Sequence, residues 1–85
     1  ARRTLEVICA SSGQSWIGAD RLPRALAGDF APRAHTTLLG KDSQLALAMA
    51  RAAGFAVPLG DAAAARFAAA LAAGLGPLDD ASLLT

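Results

Sequence analysis

Lys41 and Asp42 place a cation and an anion side by side in a stretch, LLGKDSQLALAMA (residues 38–50), that is otherwise apolar or small. An unpaired carboxylate in an apolar surface costs several kcal/mol, so Asp42 needs a partner there. Adjacent residues of a helix do not face each other, which makes Lys41 a poor partner for Asp42. We therefore predict that both charges contact groups outside the helix that carries them.

The stretch has helical spacing, and its charges fall on the apolar side of that helix. At about 100° per residue, Leu38, Leu45 and Met49 share one stripe, and Asp42 lies within it. Leu47 points to the opposite side, which predicts that the helix is covered on more than one face. The alternative is that Asp42 lies in the first turn or two, stabilised by exposed backbone N–H groups, with the lysine in solvent.

Helices are the predicted elements of the whole chain, because alanine and leucine dominate and alternating β-branched runs are absent. Ser15 is placed to cap a helix that starts at Trp16, Pro23 predicts a break, and Asp61 favours the start of the last long helix. The predicted elements are a helix tail at 5–10, short helices at 16–21 and 23–27, long helices from 36 or 37 to 53 and from 61 to 73, and a final turn capped by Asp79 or Asp80.

The composition limits what such a small helical domain can bind. Hydrophobic residues make up 54% of the 85 residues and charged residues 18%, against about 25% charged in an average domain. We expect the apolar excess to form a face that docks on another domain or subunit, although much of it is alanine. A net charge of +1 without a basic stripe argues against nucleic acid, and no apolar run approaches the ~20 residues that span a bilayer. The single cysteine, Cys9, excludes an intrachain disulfide and suits a reducing compartment.

Three segments occur in the order typical of one enzyme family: LEVICASSGQSW, LPRALAGDFAP and LLGKDSQLALAMARAAGFAVPL. They closely resemble the C-terminal helical domain of the β-hydroxyacid dehydrogenases, which include the 3-hydroxyisobutyrate dehydrogenases and tartronate semialdehyde reductases. The likeness continues through FAAALAAGLGPLDDASLL and so covers nearly the whole chain. Its most specific parts are SSG-x-SW, L-x-x-KD before an apolar helix, and G-x-x-x-PL.

The resemblance implies an all-α fold, a small helical bundle that corresponds to the later part of a 6-phosphogluconate dehydrogenase-like C-terminal domain. It also implies NAD- or NADP-dependent oxidation of a small 3-hydroxy acid, or reduction of the matching semialdehyde. In that family a Rossmann domain holds the dinucleotide, and a lysine on an earlier helix is the general acid/base. Neither part has a counterpart in residues 1–85, so this portion alone is expected to be inactive.

Three residues take site roles from the resemblance. Lys41 matches the lysine that reaches over the domain cleft to the cofactor, where an ammonium makes charge-assisted hydrogen bonds. Asp42 matches a supporting catalytic aspartate that shapes the polar end of the active site. Trp16 corresponds to an aromatic residue on the substrate side in some relatives, although a core tryptophan is at least as good an explanation. The family also implies a homodimer or homotetramer in the cytoplasm.

One position departs from the family pattern and leaves the substrate open. Relatives often carry a phenylalanine eight residues before the aspartate, where this chain has Ala34. The pocket is then either larger or refilled by His35 or Phe30. His35 is the only histidine, and a lone loop histidine is more often exposed or a structural donor than an acid/base. With no second histidine or cysteine beside it, we expect no metal site.

A different class of protein shares part of the same stretch. GKDSQLALAMARAAGFAVPL also resembles the phosphopantetheine site of acyl and peptidyl carrier domains, which place a serine at the start of a helix. Ser43 would be the attachment site. Gln44 stands where those domains have leucine, and SSGQSW has no counterpart in them.

Overall fold

The computed structural model describes residues 1–85 and confirms an all-α fold. It contains α1 (Arg2–Cys9), α2 (Trp16–Leu26), α3 (Thr36–Ala52), α4 (Pro58–Ala72) and a terminal 3-10 helix (Asp80–Leu84). The only strand-like pairing is an isolated antiparallel bridge between His35 and Asp79. None of the helices combines the length and apolar character needed to cross a bilayer.

Local chemistry sets most of the helix ends as predicted. The Ser15 hydroxyl accepts a hydrogen bond from the Gly18 N–H at 3.1 Å and so caps α2. Gly54, which follows the last residues of α3, has a φ of 77°, in the left-handed region that favours glycine. Asp79 caps the 3-10 helix by accepting from the Ala81 N–H at 3.1 Å.

Two predicted boundaries are wrong. Pro23 does not divide its segment, because α2 runs without interruption from Trp16 to Leu26. Proline removes one N–H donor there, and ion pairs of the neighbouring Arg21 and Arg24 with the 79–80 segment hold the helix in place. The last long helix begins at Pro58 and not at Asp61, since a proline suits the first helical position, where the N–H has no partner.

The centre of the fold is the contact between α3 and α4. The two helices pack along each other, α2 packs on the 3-10 helix, and α1 contacts only α2. Gly60 allows the close approach: a Cβ at this position would lie 2.9 Å from Leu47 Cδ2. Leu47 is 5% exposed and is the largest apolar residue of the core, which otherwise consists of alanines.

Gly60→Val is therefore expected to lower the free energy of unfolding by about 1–3 kcal/mol, because the added side chain overpacks the space that Leu47 fills. Urea unfolding followed by circular dichroism measures the change. Ala62→Val, on the exposed side of the same helix, is the matched control and should change stability by no more than about 0.5 kcal/mol. An equal effect of the two substitutions would show that the α3–α4 spacing at Gly60 is not tight.

The molecule is a flat plate with much of its apolar surface open. Its principal extents are 40 × 32 × 17 Å and its radius of gyration is 14.0 Å, against about 12 Å for a compact domain of this length. The accessible area is 5632 Å², against about 4,650 Å² for a folded monomer of this mass. Within the chain, α3 is covered on the Leu47 side only, and the predicted stripe of Leu38, Leu45 and Met49 is exposed. Cys9 is exposed as well, since α1 packs on one neighbour only.

Candidate functional site

Lys41 and Asp42 form an ion pair on the exposed side of α3. Lys41 Nζ lies 2.9 Å from Asp42 Oδ1, and the two side chains are 59% and 55% exposed. Lys41 was expected to be a poor partner for Asp42, yet the two pair here, because an exposed lysine is long enough to bend back to the adjacent carboxylate. Asp42 is the seventh residue of α3, at the end of its second turn, and both side chains are exposed, as the alternative expected; no backbone N–H donates to the Asp42 carboxylate, however. An exposed pair contributes only about 0–1 kcal/mol, and stability alone does not account for it.

A cavity of about 340 Å³ opens beside Lys41. Its lining consists of His35, Thr37, Leu38, Lys41, Gly76 and Pro77. An ammonium, an imidazole and a hydroxyl are therefore its donors, and Leu38 is its one large apolar residue. Lys41 and Thr37 also line a second hollow of about 270 Å³, between α3 and α4. Lys41 thus lies between two concave surfaces. Its ammonium, together with the His35 imidazole and the Thr37 hydroxyl, is suited to bind the oxygens of a polar or anionic ligand.

Residues 76–78, near the C-terminus, form one wall of this cavity and cap α3. The Thr36 N–H donates to the Leu78 carbonyl at 2.9 Å, and the Thr37 N–H donates to the Gly76 carbonyl at 3.2 Å. The Thr36 hydroxyl also donates to the Leu78 carbonyl, at 3.1 Å. These bonds occupy the first N–H groups of α3, so side chains and not the helix terminus provide the donors of the cavity.

Beneath that wall lies a buried carboxylate, that of Asp79, for which the sequence predicts a role as a helix cap only, shared as an alternative with Asp80. Asp79 has no exposed area, and its Oδ1 accepts from Arg24 Nη1 at 3.1 Å. Its Oδ2 accepts from the backbone N–H groups of Arg33 at 2.8 Å and Ala34 at 3.2 Å. Burial raises the pKa of Asp79, but the backbone N–H groups of Arg33, Ala81 and Ala34 outweigh it and hold the pKa well below its ordinary value.

Arg24 extends the cluster across the loop that precedes α3. It is 8% exposed and donates through Nη2 to the Ala31 carbonyl at 2.8 Å and through Nε to Asp29 Oδ2 at 3.4 Å. Arg21, one turn earlier, donates to Asp80 Oδ1 at 2.6 Å. The sequence offers one signal of this cluster: two adjacent acids, Asp79 and Asp80, and two arginines three residues apart on α2. More than 50 residues separate the arginines from the acids, so the sequence alone does not show that they pair.

The remaining candidates lie apart from Lys41. Trp16 is the first residue of α2, is 73% exposed, and does not line either cavity beside Lys41. Ser43 lies in the middle of α3, where its hydroxyl donates to the Leu39 carbonyl at 2.8 Å. The carrier-domain alternative, which needs a serine at the start of a helix, finds no support. No group of three or more histidine, cysteine or acidic side chains is arranged to hold a metal ion.

Known proteins resemble this chain over nearly all of its length. It is 37% identical over 79 residues to an L-threonate dehydrogenase of Cupriavidus necator, covering 93% of this chain and 27% of that protein. It is 30% identical to the L-threonate dehydrogenase of Escherichia coli K12, again over 93% of this chain, and 26% of that protein. The crystal structure of a 3-hydroxyisobutyrate dehydrogenase from Salmonella typhimurium superposes with a TM-score of 0.92 and 30% identity, covering 98% of this chain and 29% of that one.

The chain spans about a quarter of the length of the curated relatives it matches. Its four helices and its order of segments agree with the helical part of such an enzyme, as the TM-score indicates. Residues 1–85 also match the family model described as NAD-binding of NADP-dependent 3-hydroxyisobutyrate dehydrogenase. The chain therefore belongs to the 3-hydroxyisobutyrate dehydrogenase family.

Proposed function

We propose that the chain is the C-terminal helical part of a longer NAD- or NADP-dependent dehydrogenase that oxidises a small hydroxy acid or reduces the matching semialdehyde. The observation that carries the proposal is the family match over residues 1–85, the whole of the chain. The Lys41–Asp42 pair supports it, because an exposed pair that adds little to stability stands beside a cavity lined with donors.

Lys41 is the residue that would hold the cofactor. Its ammonium is free to leave Asp42, because an exposed ion pair is weak, and to bind an anionic oxygen of a dinucleotide. Thr37 and His35 line the same cavity and offer further hydrogen-bond donors. A bound nicotinamide would supply the hydride acceptor, and the residues of this chain would orient the ligand and exclude water around it.

Asp42 would act as a supporting group at the polar end of the site. Its carboxylate pairs with Lys41, lines neither cavity within this chain, and would accept a hydrogen bond from a substrate hydroxyl or hold a cationic side chain of another domain. The main acid/base lysine of the family lies outside these residues. Trp16 keeps its proposed place on the substrate side, where a 73% exposed indole at the start of α2 is available for contact with another domain.

The cavity favours a polyhydroxy acid as substrate. Ala34 contributes its backbone to the Asp79 cluster and not a phenyl ring to the pocket, while His35 lines the cavity with Thr37. The His35 imidazole and the Thr37 hydroxyl, both on the cavity lining, would pair with the additional hydroxyls of L-threonate, whereas the methyl group of 3-hydroxyisobutyrate offers them no partner. The L-threonate dehydrogenases among the relatives agree with this choice.

An activity assay of the complete protein tests the proposal directly. Reduction of NAD or NADP is measured with L-threonate and with 3-hydroxyisobutyrate, and we expect a higher kcat/KM for L-threonate. Absence of any hydroxy-acid-dependent reduction of either cofactor would refute the proposed function. A preference for 3-hydroxyisobutyrate would refute the substrate assignment and leave the reaction class in place.

The open apolar surface is proposed to bind the rest of the same protein and a second copy of it. Its exposed members include Ile8, Trp16, Ile17, Leu38, Leu45, Met49 and Leu59. The plate exposes about 1,000 Å² more than a folded monomer of this mass, which is in the range that a specific interface covers. We accordingly expect a nucleotide-binding Rossmann domain on one part of this surface, and a dimer or tetramer in the cytoplasm.

Asp42→Ala in the complete protein is expected to lower kcat by about tenfold to hundredfold while the KM for the cofactor changes little, because a group that acts on the reacting end is lost. Steady-state kinetics with both substrates varied separates the two parameters. Asp61→Ala removes another exposed carboxylate that is paired with an arginine, and it should leave both parameters unchanged. Normal turnover of the Asp42 variant would contradict the supporting role.

A further inference from the structure

Residues 30–35 form a loop that determines where α3 begins and where one wall of the Lys41 cavity stands. The loop contains no helical turn and no strand apart from the single bridge at His35. Its last residue, His35, lines the cavity, and its main-chain carbonyl accepts from the Leu38 N–H at 2.9 Å. A shift of this loop would therefore move both the cavity wall and the first turn of α3.

Asp79 holds this loop from below. Its Oδ2 accepts from the Arg33 and Ala34 N–H groups, and its own N–H donates to the Phe30 carbonyl at 3.1 Å. Arg24, which is bound to Asp79 Oδ1, donates to the Ala31 carbonyl at 2.8 Å. The loop is thus bonded at both its ends through one buried carboxylate and its arginine.

The segment of residues 76–79, which ends at Asp79, forms the other wall of the cavity. Gly76 and Pro77 lie on that wall, and the Gly76 and Leu78 carbonyls cap α3 immediately before Asp79. A buried ion pair such as that of Arg24 and Asp79 is often no more stabilising than apolar residues of the same volume, so stability alone does not explain its presence. It does fix the loop and the 76–79 segment in one geometry, with Lys41 between the walls.

We propose that Asp79, together with Arg24, is a positioning residue for the site at Lys41: its carboxylate sets the loop 30–35 and the 76–79 segment at the spacing that the cofactor requires. The inference rests on the proposed function, since it names a further residue of the same site. Asp79 has no exposed surface and does not contact the cavity itself, so its effect passes through the backbone of Arg33, Ala34 and the α3 cap.

A double-mutant cycle in the complete protein tests this coupling. Asp79→Asn keeps the shape of the side chain but places an amide N–H₂ among hydrogen-bond donors. We expect it to raise the KM for the cofactor about tenfold when Lys41 is present, and less than about twofold in a Lys41→Ala background, because coupled residues act non-additively. Arg24→Lys, which keeps the charge but loses the fork that reaches Ala31, serves as a second variant if Asp79→Asn does not fold.

Leu47→Ala is the control for a general loss of stability, since Leu47 is buried between α3 and α4 and does not touch the loop. It should change the KM by the same small factor with and without Lys41. An Asp79→Asn effect of equal size in both backgrounds, or no effect in either, would overturn the proposal.

Amide hydrogen exchange gives a measurement that does not need activity. Protection of the Arg33, Ala34 and Thr37 N–H groups should fall in Asp79→Asn and persist in Leu47→Ala. If the wild-type protein reduced neither cofactor, the proposed function would fail, and the exchange result would still decide the positional role. Unchanged protection in Asp79→Asn would overturn that role in either case.

Discussion

Asp79→Ala is expected to lower the free energy of unfolding by about 3–5 kcal/mol, because it removes the buried carboxylate that Arg24 contacts at 3.1 Å and leaves the arginine only the more exposed Asp29 and Asp20. Three backbone N–H groups, those of Arg33, Ala34 and Ala81, lose their acceptor at the same time. A domain of this length has a total stability of roughly 4–13 kcal/mol, so the substitution removes a large part of it. The 3-10 helix and the loop before α3 should separate first.

Urea unfolding followed by circular dichroism measures this loss, with Asp61→Ala as the control. Asp61 also pairs with an arginine, but both side chains are at least half exposed, so its removal should cost no more than about 1 kcal/mol. The pKa of Asp79 is lowered in the folded state, so its contribution is complete above about pH 4 and is lost as the pH falls further. The difference between wild type and variant should therefore shrink below about pH 4; a difference that does not depend on pH would contradict a charged Asp79.

Lys41→Ala in the complete protein is expected to raise the KM for the nicotinamide cofactor by about tenfold to hundredfold, because a hydrogen bond to a charged group contributes about 1.5–3 kcal/mol. The fold should be unaffected, since the only partner of the lysine within this chain is the exposed Asp42. The effect should appear in the KM for the cofactor and not in the midpoint of urea unfolding.

Arg66→Ala is the matched control for the change in net charge. Arg66 is an exposed cation on α4 that forms no ion pair, and its removal should leave the KM unchanged. Lys41→Arg, which keeps the charge, should recover part of the affinity, although a planar guanidinium does not replace an ammonium fully. A KM for NAD or NADP that is unchanged in Lys41→Ala would refute the cofactor-binding role.

Features that depend on near neighbours in the sequence could be predicted. Ser15 caps α2 because its hydroxyl and the Gly18 N–H are three residues apart, and Gly54 ends α3 because the backbone there is left-handed. The propensity of Pro23 alone predicts a break in the helix, but the ion pairs of Arg21 and Arg24 with distant acids keep α2 intact. Tertiary contacts outweighed a local preference.

In the candidate site, too, some residues could be predicted from their near neighbours in the sequence and others could not. Lys41 and Asp42 could be singled out because two charges in an apolar helix are unusual at the level of the sequence itself. Gly76 and Pro77 complete the cavity but could not be predicted as part of it. They lie about 40 residues after Thr37 in the sequence and reach it only because the chain reverses direction. Asp79 could be predicted, as an alternative to Asp80, as a helix cap but not as a member of a buried ion pair, because burial depends on α2, the loop and the 3-10 helix together.

A slab only 17 Å thick has almost no interior, and this changes how substitutions in it should be judged. A mutational scan of the 85 residues in isolation would score Leu45 or Met49 as tolerant positions, since both side chains are mainly in water there. The same scan in the whole enzyme should score them as sensitive ones. Under the proposed function, tolerance to mutation at these positions depends on the assembled protein, and comparing the two scans would map its contacts without a second structure.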